Sequence, residues 1–325
     1  MAGGHPAGRC AVGCRDRHVA GLVGPVTEYR GLVLGLDEVA YHAHPALSST
    51  GARQLLKAPA KFFYERSHPS PPRKSFDVGT LSHSKILGVG AGLAVYPDGT
   101  GDVVFEDPET GEVHDNVLAS NGVASTKLAK SFEAWARAAG MVPLKRAEAA
   151  VVDAMAESVL ARKTSRALLE QEGVAEASVF ATDPETGIDE KCRFDFLGTG
   201  SRPVAVDVKT DRDDVDPVTF SRTVAKHGYH IQQEHYLHTA AAAGVPVADF
   251  TFITVEKEPP YLVAEHWLDP DFREIGARKA AEARARFAAG IESGVWPGYP
   301  DQVQIVRPPQ FLIYDHIDAT EAEAA

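Results

Sequence analysis

The second half of the chain alternates short, strongly apolar runs with polar turns, a pattern typical of β-strands. Residues of high β-propensity predict five strands, at 177–181, 192–197, 204–208, 250–255 and 261–266. The first two runs are joined by Asp183-Pro-Glu-Thr-Gly187, a turn sequence that fits a hairpin. The pattern therefore predicts a sheet whose first three strands follow one another closely along the chain.

Segments that favour helices surround these strands. Helices are predicted at 47–65, 79–87, 229–242 and about 271–291. Residues 126–171 are dominated by Ala, Leu, Lys, Arg and Glu, which favours long helices that Gly140 and Pro143 would interrupt. Residues 88–123 are acidic and rich in turn formers and predict a hairpin and loops. The order helix-β-β-β-helix-β places a helix across the sheet edge where one hairpin strand ends beside the next strand.

The chain is expected to form a single α/β domain over residues 31–310, with a helical insertion around residues 126–171. Residues 1–30 are rich in Gly, Ala and Arg without a clear period. They are predicted to be a disordered leader, or else an artefact of the chosen translation start. Residues 311–325 form an acidic tail that is expected to fray.

The chain carries 33 basic and 45 acidic residues, which gives a formal net charge of −12 at pH 7. That balance argues against a protein that coats nucleic acid, although an acidic protein can still concentrate positive charge where phosphates pass. The longest apolar runs are strand-sized, so neither a membrane partner nor a signal peptide is indicated. Three cysteines do not make a disulfide framework, so the expected location is a reducing cytoplasm.

Three charged residues lie inside or next to the predicted strands. Asp195 interrupts one apolar run, and Asp207 and Lys209 lie in the next, Val204-Ala-Val-Asp-Val-Lys209. Residues two apart on a strand point to the same face, so Asp207 and Lys209 are expected to be neighbours. An acid buried in such a strand is costly unless it is paired or bound to a cation.

These residues fit either a metal site or a structural ion pair. Asp195, Asp207 and the carbonyl of Val208 would offer the oxygen ligands that Mg²⁺ prefers. Lys209 would orient or deprotonate a water, or stabilise a phosphate. In the structural alternative, Asp207 pairs with Lys209 and Asp195 caps a turn, and the pattern alone favours neither interpretation.

Further polar residues lie on two of the predicted helices. His83 follows Gly79 and could supply a nitrogen ligand to a metal, although a lone helical histidine is more often structural. Gln232 and Tyr236 are four residues apart and share one helix face. Their amide and phenol could hold a water, a phosphate or a base edge, or could make core contacts only.

The order Gly-x-x-x-His, Asp, Asp-x-Lys and Gln-x-x-x-Tyr resembles the RecB-type branch of the PD-(D/E)XK nucleases. In that branch the histidine and both aspartates bind metal, the lysine is catalytic, and the Gln/Tyr helix flanks the DNA. The resemblance implies these roles for His83, Asp195, Asp207, Lys209, Gln232 and Tyr236. It also implies an α/β fold with a restriction-endonuclease-like core, in which helices flank a mixed central sheet and further helices are added.

Four further stretches are similar to the RecE-like exonucleases of phage recombination, at 41–53, 58–63, 255–261 and 294–299. The similarity covers about residues 40–300. It implies digestion of linear duplex DNA from its ends, in the 5′-to-3′ direction, with Mg²⁺ as cofactor; sites of this kind commonly accept Mn²⁺ as well. It also implies a partner protein that anneals single strands, a ring-like homo-oligomer and, for a phage-encoded protein, the cytoplasm of the bacterial host.

The start of the first predicted helix is a candidate phosphate contact. In related exonucleases a Ser/Thr-rich helix start contacts the 5′ phosphate, and Ser48, Thr50 and Arg53 lie at the matching place. Hydroxyls at a helix N-terminus suit a phosphate, but plain N-capping is the more common role of such residues. Glu176, at the start of the first core strand, is either a further acidic contact or an ordinary solvated glutamate.

Other metal sites fit the sequence less well. The leader could in principle bind zinc, but the spacing of its candidate ligands is unusual and lies outside the family resemblance; they are His5, Cys10, Cys14 and His18. Some relatives hold an iron–sulfur cluster with four cysteines, and with three cysteines this chain is expected to have none. The helix that contains His230, His235 and His238 lacks the His-Glu-x-x-His motif of zinc proteases. The sequence therefore leaves the aspartate–lysine group as the main candidate centre.

Two other functions remain open. The same site could belong to an endonuclease or to a single-strand nuclease. Alternatively, the chain could be a non-catalytic DNA-binding accessory of recombination with a degenerate site. Intact Asp195, Asp207 and Lys209 argue against that alternative, because a degenerate site is expected to lose at least one of them.

Overall fold

The structure, a computed structural model, describes residues 28–68, 77–310 and 312–314. Within these residues the helices are α1 (Glu38–Ala43), α2 (Ser49–Lys57), α3 (Pro59–Ser67), α4 (Asp77–Leu87), α5 (Lys127–Ala138), α6 (Arg146–Ala161), α7 (Lys163–Leu169), α8 (Pro217–His227), α9 (Tyr229–Ala242) and α10 (Pro270–Ser293). The strands are β1 (Gly31–Val33), β2 (Gly92–Val95), β3 (Phe105–Glu106), β4 (Val113–His114), β5 (Met141–Leu144), β6 (Gly173–Thr182), β7 (Asp189–Gly198), β8 (Val204–Asp211), β9 (Asp249–Glu256) and β10 (Val263–His266). No described helix combines the length and the apolar character needed to cross a membrane.

A six-stranded sheet forms the centre of the fold, in the order β1-β6-β7-β8-β9-β10. Neighbouring strands run antiparallel except β8 and β9, which are parallel and pair Val204 with Asp249. A parallel pair requires a crossover connection, and α8 and α9 form it. The predicted α/β fold, with a mixed central sheet flanked by helices, is confirmed.

Helices cover both faces of this sheet. On one face, α8 and α9 pack against a cluster that includes Phe194 and Phe252. On the other face, α4 and α6 pack against Val206, Val208 and Ile253. Burying each of these large side chains stabilises the fold by roughly 1.5–3 kcal/mol. Because side chains alternate along β8, its residues face the two helical layers in turn.

The prediction of one helix at 47–65 is wrong, because two helices, α2 and α3, occupy this segment. Ala58 between them is extended, with φ −170° and ψ 121°. The following Pro59 explains the break, since the residue before a proline is pushed out of the helical region. The other three predicted helices agree with α4, α9 and α10 to within two residues at each end.

The stretch 126–171 contains a strand as well as helices. Gly140 and Pro143 interrupt it as predicted, but the interruption is β5, which pairs in parallel with β2. Helix α8 and the three-residue strand β1 were not predicted. The predicted leader lies outside the described residues up to residue 27, and the predicted acidic tail lies outside them except for residues 312–314.

Candidate active site

The candidate site lies where strands β7 and β8 separate. In the described part of the chain their pairing consists of Phe196–Val206 and Leu197–Ala205. Beyond that point the carboxylate of Asp195 accepts a hydrogen bond from the backbone N–H of Val208, at 2.7 Å from Oδ2. A buried N–H group requires an acceptor, and here a side chain supplies it in place of a strand. Asp195 is therefore held in the gap between the two strands.

Asp207 faces α9 from strand β8 and is 1% exposed. The Nζ of Lys209 donates to both of its carboxylate oxygens, at 2.5 Å each. Gln232 donates through Nε2 to the same two oxygens, at 2.9 and 3.2 Å. Burial raises the pKa of the Asp207 carboxyl, an effect that exceeds the opposing influence of the Lys209 charge. The enclosing donors offset the cost of burying this acid.

Lys209 is enclosed by groups that favour its charged form. Its Nζ lies over the ring of Tyr229, 4.9 Å from the centroid. Burial alone would lower the pKa of Lys209, but the charges of Asp207 and Asp195 outweigh it and raise that pKa. The sequence did not single out Tyr229. Its position three residues before Gln232, on the same helix face, is the signal that would have found it.

His83 reaches the gap from the opposite helical layer. It lies on α4, and its Nδ1 is 3.4 Å from Oδ2 of Asp195. Helix α4 is tied to α5 by an ion pair in which Arg137 donates to Asp77 at 2.9 Å. An imidazole nitrogen and a carboxylate oxygen therefore face a common point, and both side chains are partly open to solvent.

Glu176 adds a carboxylate close to Asp195. It stands where the β6–β7 ladder passes from Ala175–Phe196 to Ala177–Phe194 without a registered pair between them. Its φ of 53° lies in the left-handed region, where a residue with a side chain is strained. Burial raises the pKa of Glu176 to about 7, and the charge of Asp195 adds to the effect. Glu176 is therefore not an ordinary solvated glutamate.

Tyr236 lies one helical turn after Gln232, but its ring packs into the core. It contacts Phe194 and Phe250, with centroids 5.2 and 6.2 Å away. The buried thiol of Cys192 lies behind it, with Sγ 3.9 Å from the Tyr236 carbonyl oxygen. Of the two residues predicted to flank substrate, Gln232 contacts Asp207 and Tyr236 makes core contacts.

Arg53 links the start of α2 to the start of α9. Its Nη1 donates to the carbonyl of His227 at 2.8 Å, and its Nη2 donates to Oγ1 of Thr50 at 3.1 Å. The hydroxyl of Ser48 accepts from the N–H of Gly51 at 3.3 Å and caps α2. Arg53 and Thr50 thus lie beside the N-terminal end of the helix that carries Gln232.

An open cavity of about 490 Å³ follows directly after β8. It is lined by Arg212, Asp213, Asp214, Thr219, Arg222, Thr223 and Lys226. In a chain whose net charge is −12, this cavity brings three cationic side chains together next to the strand that carries Asp207 and Lys209.

A separate group of potential metal ligands lies near the β6–β7 turn. One ligand atom each from Asp183, Glu190 and His238 falls within 4.8 Å of the others. Arg284 lies 3.8 Å from both carboxylates. Positive charge is therefore already supplied to this group by a side chain.

A model of the family described as a PDDEXK-like domain of unknown function (DUF3799) matches residues 99–309. The match covers more than half of the 325 residues and includes Asp195, Asp207, Lys209 and all of α9. His83 lies before it. Among curated proteins, none matches the sequence.

The fold is similar to the crystal structure of a protein from Eubacterium rectale that is described as a "putative exonuclease". The alignment covers 85% of this chain and 96% of that chain, with a TM-score of 0.53 and 11% identity. At that identity the likeness concerns the fold alone. The crystal structure of SSO0001 aligns over 34% of this chain and 48% of that chain, at 17% identity and a TM-score of 0.22, which is too low to indicate a shared fold.

Proposed function

The chain belongs to the family of PDDEXK-like domains of unknown function (DUF3799), and from this membership and the geometry of the β7–β8 gap we propose that it is a metal-dependent deoxyribonuclease. The observation that carries the proposal is the joint placement of Asp195 in the gap and Asp207 beside it, with Lys209 bonded to Asp207. Membership of this family indicates a PDDEXK-like domain. The three side chains at the gap support metal-dependent hydrolysis as the reaction of that domain.

The side chains at the gap fit a divalent ion such as Mg²⁺. Asp195 and Asp207 offer carboxylate oxygens, and His83 offers a nitrogen that Mn²⁺ also accepts. Burial disfavours the charged form of Asp207 more than the Lys209 charge favours it, so a further cation next to Asp207 would offset the remaining cost. We infer that Asp195, Asp207, His83 and the Val208 carbonyl hold the ion. Such an ion lowers the pKa of a water ligand and offsets charge on the scissile phosphate.

The remaining chemistry belongs to the chain's own side chains. Lys209, kept charged by the neighbouring carboxylates, donates to the attacking water or to a non-bridging phosphate oxygen. Gln232 fixes the orientation of Asp207 by bonding both of its oxygens. Tyr229 covers one side of the Lys209 ammonium and limits where it can point. Water adds to phosphorus, and one P–O ester bond breaks.

We further propose that the substrate is linear duplex DNA, digested from its ends in the 5′-to-3′ direction to expose single strand for phage recombination. The RecE-like stretches support this, since 41–53 contains Arg53, which the fold brings to the start of α9. The description of the Eubacterium rectale protein points the same way. On the same basis we propose a single-strand annealing protein as partner and a ring-like homo-oligomer.

The test uses blunt linear duplex and covalently closed duplex, each with and without added Mg²⁺. Asp207→Asn and Lys209→Gln are compared with Asp271→Asn and Lys279→Gln, which remove exposed charges of α10. We expect the wild type to degrade only the linear duplex and only with Mg²⁺. Both site variants should lose at least about 100-fold in rate, and both controls should keep it. Circular dichroism checks that each variant is folded.

Each other outcome overturns a defined part of the proposal. Cutting of the closed circle would mean an endonuclease, and degradation of single strand alone would mean a single-strand nuclease. Binding of DNA without degradation under any condition would favour the accessory function. Full activity of Asp207→Asn would place the chemistry elsewhere in the molecule.

A further inference from the structure

Helix α8 carries a cationic face directed at the open cavity beyond β8. Thr219, Arg222, Thr223 and Lys226 line the cavity and lie three, four and seven residues apart, which is the spacing of one helix face. Arg212, in the segment between β8 and α8, lines the same cavity. The face therefore combines cations and hydroxyls, the groups that proteins use to contact phosphates.

The three cationic side chains of this face are available to bind a ligand. Arg212, Arg222 and Lys226 are exposed, and none of their side chains forms an ion pair or hydrogen bond with another described residue. Asp213 and Asp214 also line the cavity and offset part of the charge. Three cations against these two carboxylates leave the lining of the cavity with a net charge of +1.

The face leads directly to the candidate active site. Helix α8 ends at His227, and α9 begins at Tyr229, whose ring lies under the Lys209 ammonium. Arg212 follows β8, the strand that carries Asp207. At a rise of about 1.5 Å per residue, positions 219 to 226 span about 10 Å, which is the axial length of about three nucleotides.

We propose that the α8 face, formed by Arg212, Thr219, Arg222, Thr223 and Lys226, binds the phosphate backbone of the DNA strand that enters the candidate active site. The proposal rests on the proposed nuclease function. The contacts are to phosphates, so they are independent of base sequence, and they place the strand so that a phosphodiester reaches Lys209. The chain as a whole has a net charge of −12, so its acidic surface repels DNA and favours approach at this cationic face.

The test measures DNA affinity as a function of salt in an Asp207→Asn background, so that bound DNA is not degraded. Arg222→Gln with Lys226→Gln is compared with Arg278→Gln with Lys279→Gln, an exposed pair on α10 that removes the same charge. The plot of log affinity against log salt concentration has a negative slope. Each lost phosphate contact reduces the magnitude of that slope by about 0.9 on duplex and about 0.7 on single strand. We expect the α8 double variant to reduce the magnitude of the slope by about 1.8 on a blunt duplex, or about 1.4 on a single strand. The control double variant should leave the slope unchanged.

Further outcomes separate this inference from the proposed function. Arg212→Gln added to the α8 pair should reduce the magnitude of the slope again, and the loss of affinity should be the same on oligonucleotides of different sequence. Equal slopes for the α8 pair and the control pair would overturn the inference, while the cleavage assay would still decide the nuclease. Absence of DNA binding by Asp207→Asn even at low salt, together with absence of cleavage by the wild type, would overturn both.

Discussion

At the scale of single residues, the candidate site depends on how Asp207 is held. This carboxylate is almost fully buried, and its two oxygens accept from both Lys209 and Gln232. A side chain that bonds both oxygens of a metal-binding carboxylate fixes its orientation and therefore its affinity for the ion. Gln232 is thus expected to act through Asp207 and not on the substrate directly.

Gln232→Leu is therefore expected to weaken Mg²⁺ binding and activity by roughly 10- to 100-fold. Titration of the cleavage rate with Mg²⁺ would measure it, because the variant should need more Mg²⁺ for half-maximal rate. Gln233→Leu is the matched control, since Gln233 is also buried on α9 but donates to Glu234. An unchanged Mg²⁺ requirement in Gln232→Leu would mean that the Gln232 amide has a structural role only and does not affect metal binding.

The sequence predicted part of this site and could not predict the rest. Asp207 and Lys209 are two residues apart on one strand, so their contact follows from strand geometry alone. The bond between Asp195 and the N–H of Val208 depends on where two strands separate, which no local pattern records. Glu176 is opposite Asp195 because of the register of β6 against β7, and neither that register nor the strained φ of Glu176 is indicated by the residue type.

At the scale of elements, helices α9 and α10 pack closely against each other at Gly276. A Cβ at Gly276 would lie 2.3 Å from the carbonyl oxygen of His230, a backbone atom that cannot move aside. At Gly79 on α4, by contrast, a Cβ would meet its nearest neighbour, Oγ1 of Thr210, at an ordinary 3.6 Å. The first glycine is therefore required by packing and the second is not.

Gly276→Ala is expected to lower the free energy of unfolding by about 1–3 kcal/mol, because α10 must shift from α9. Gly79→Ala should leave stability unchanged or raise it by up to about 1 kcal/mol, since alanine favours a helix. Urea unfolding of both variants and the wild type measures the difference. Equal effects of the two substitutions would show that α9 and α10 are not packed this closely.

Helices and strands with a clear local residue pattern agree with the sequence predictions. Elements that form only because they pair with a segment far away in the sequence do not. Helix α9 was predicted at its observed bounds, and β6, β7, β8 and β9 were predicted within longer observed strands. Strand β5 was missed because its residues look like a helix interruption, and the strand with which it pairs, β2, lies about 50 residues earlier. The split of α2 from α3 could have been predicted from Pro59.

At the scale of the whole molecule, the chain is acidic overall, with a net charge of −12, and acids are also buried in its interior. Fully buried Glu190 lies 3.3 Å from Nδ1 of His235 and 3.8 Å from Nη1 of Arg284, on three different elements. His235 uses Nε2 to donate to the Lys191 carbonyl, so its neutral ring presents a lone pair to Glu190. A proton between the two residues resolves this conflict.

Glu190 is therefore expected to make stability depend on pH. Burial raises its pKa from 4.5 to about 8, so between these values the folded protein keeps a proton that the unfolded chain releases. The free energy of unfolding should consequently fall as pH rises through this window, by at most about 1.4 kcal/mol per pH unit. Glu190→Gln retains a donor for His235 and should remove this dependence.

The measurement is urea unfolding of wild type and Glu190→Gln at several pH values between 5 and 8.5, with exposed Glu274→Gln as control. As pH rises, the free energy of unfolding of the wild type should fall relative to that of Glu190→Gln. The difference in free energy of unfolding between the wild type and Glu274→Gln should stay constant with pH. A constant difference between wild type and Glu190→Gln would mean that Glu190 is ionised throughout.

The buried position of Cys192 gives the molecule a built-in reporter. Its thiol is sealed between β7 and α9, and burial raises its pKa well above the ordinary value. A thiol reagent can reach it only when α9 lifts from the sheet, so its labelling rate measures the opening of the helix that carries Gln232. Peptide mapping separates it from Cys10 and Cys14. DNA bound to the proposed α8 face and at the start of α9 should slow the labelling of Cys192. The labelling rate would then report DNA binding separately from DNA cleavage.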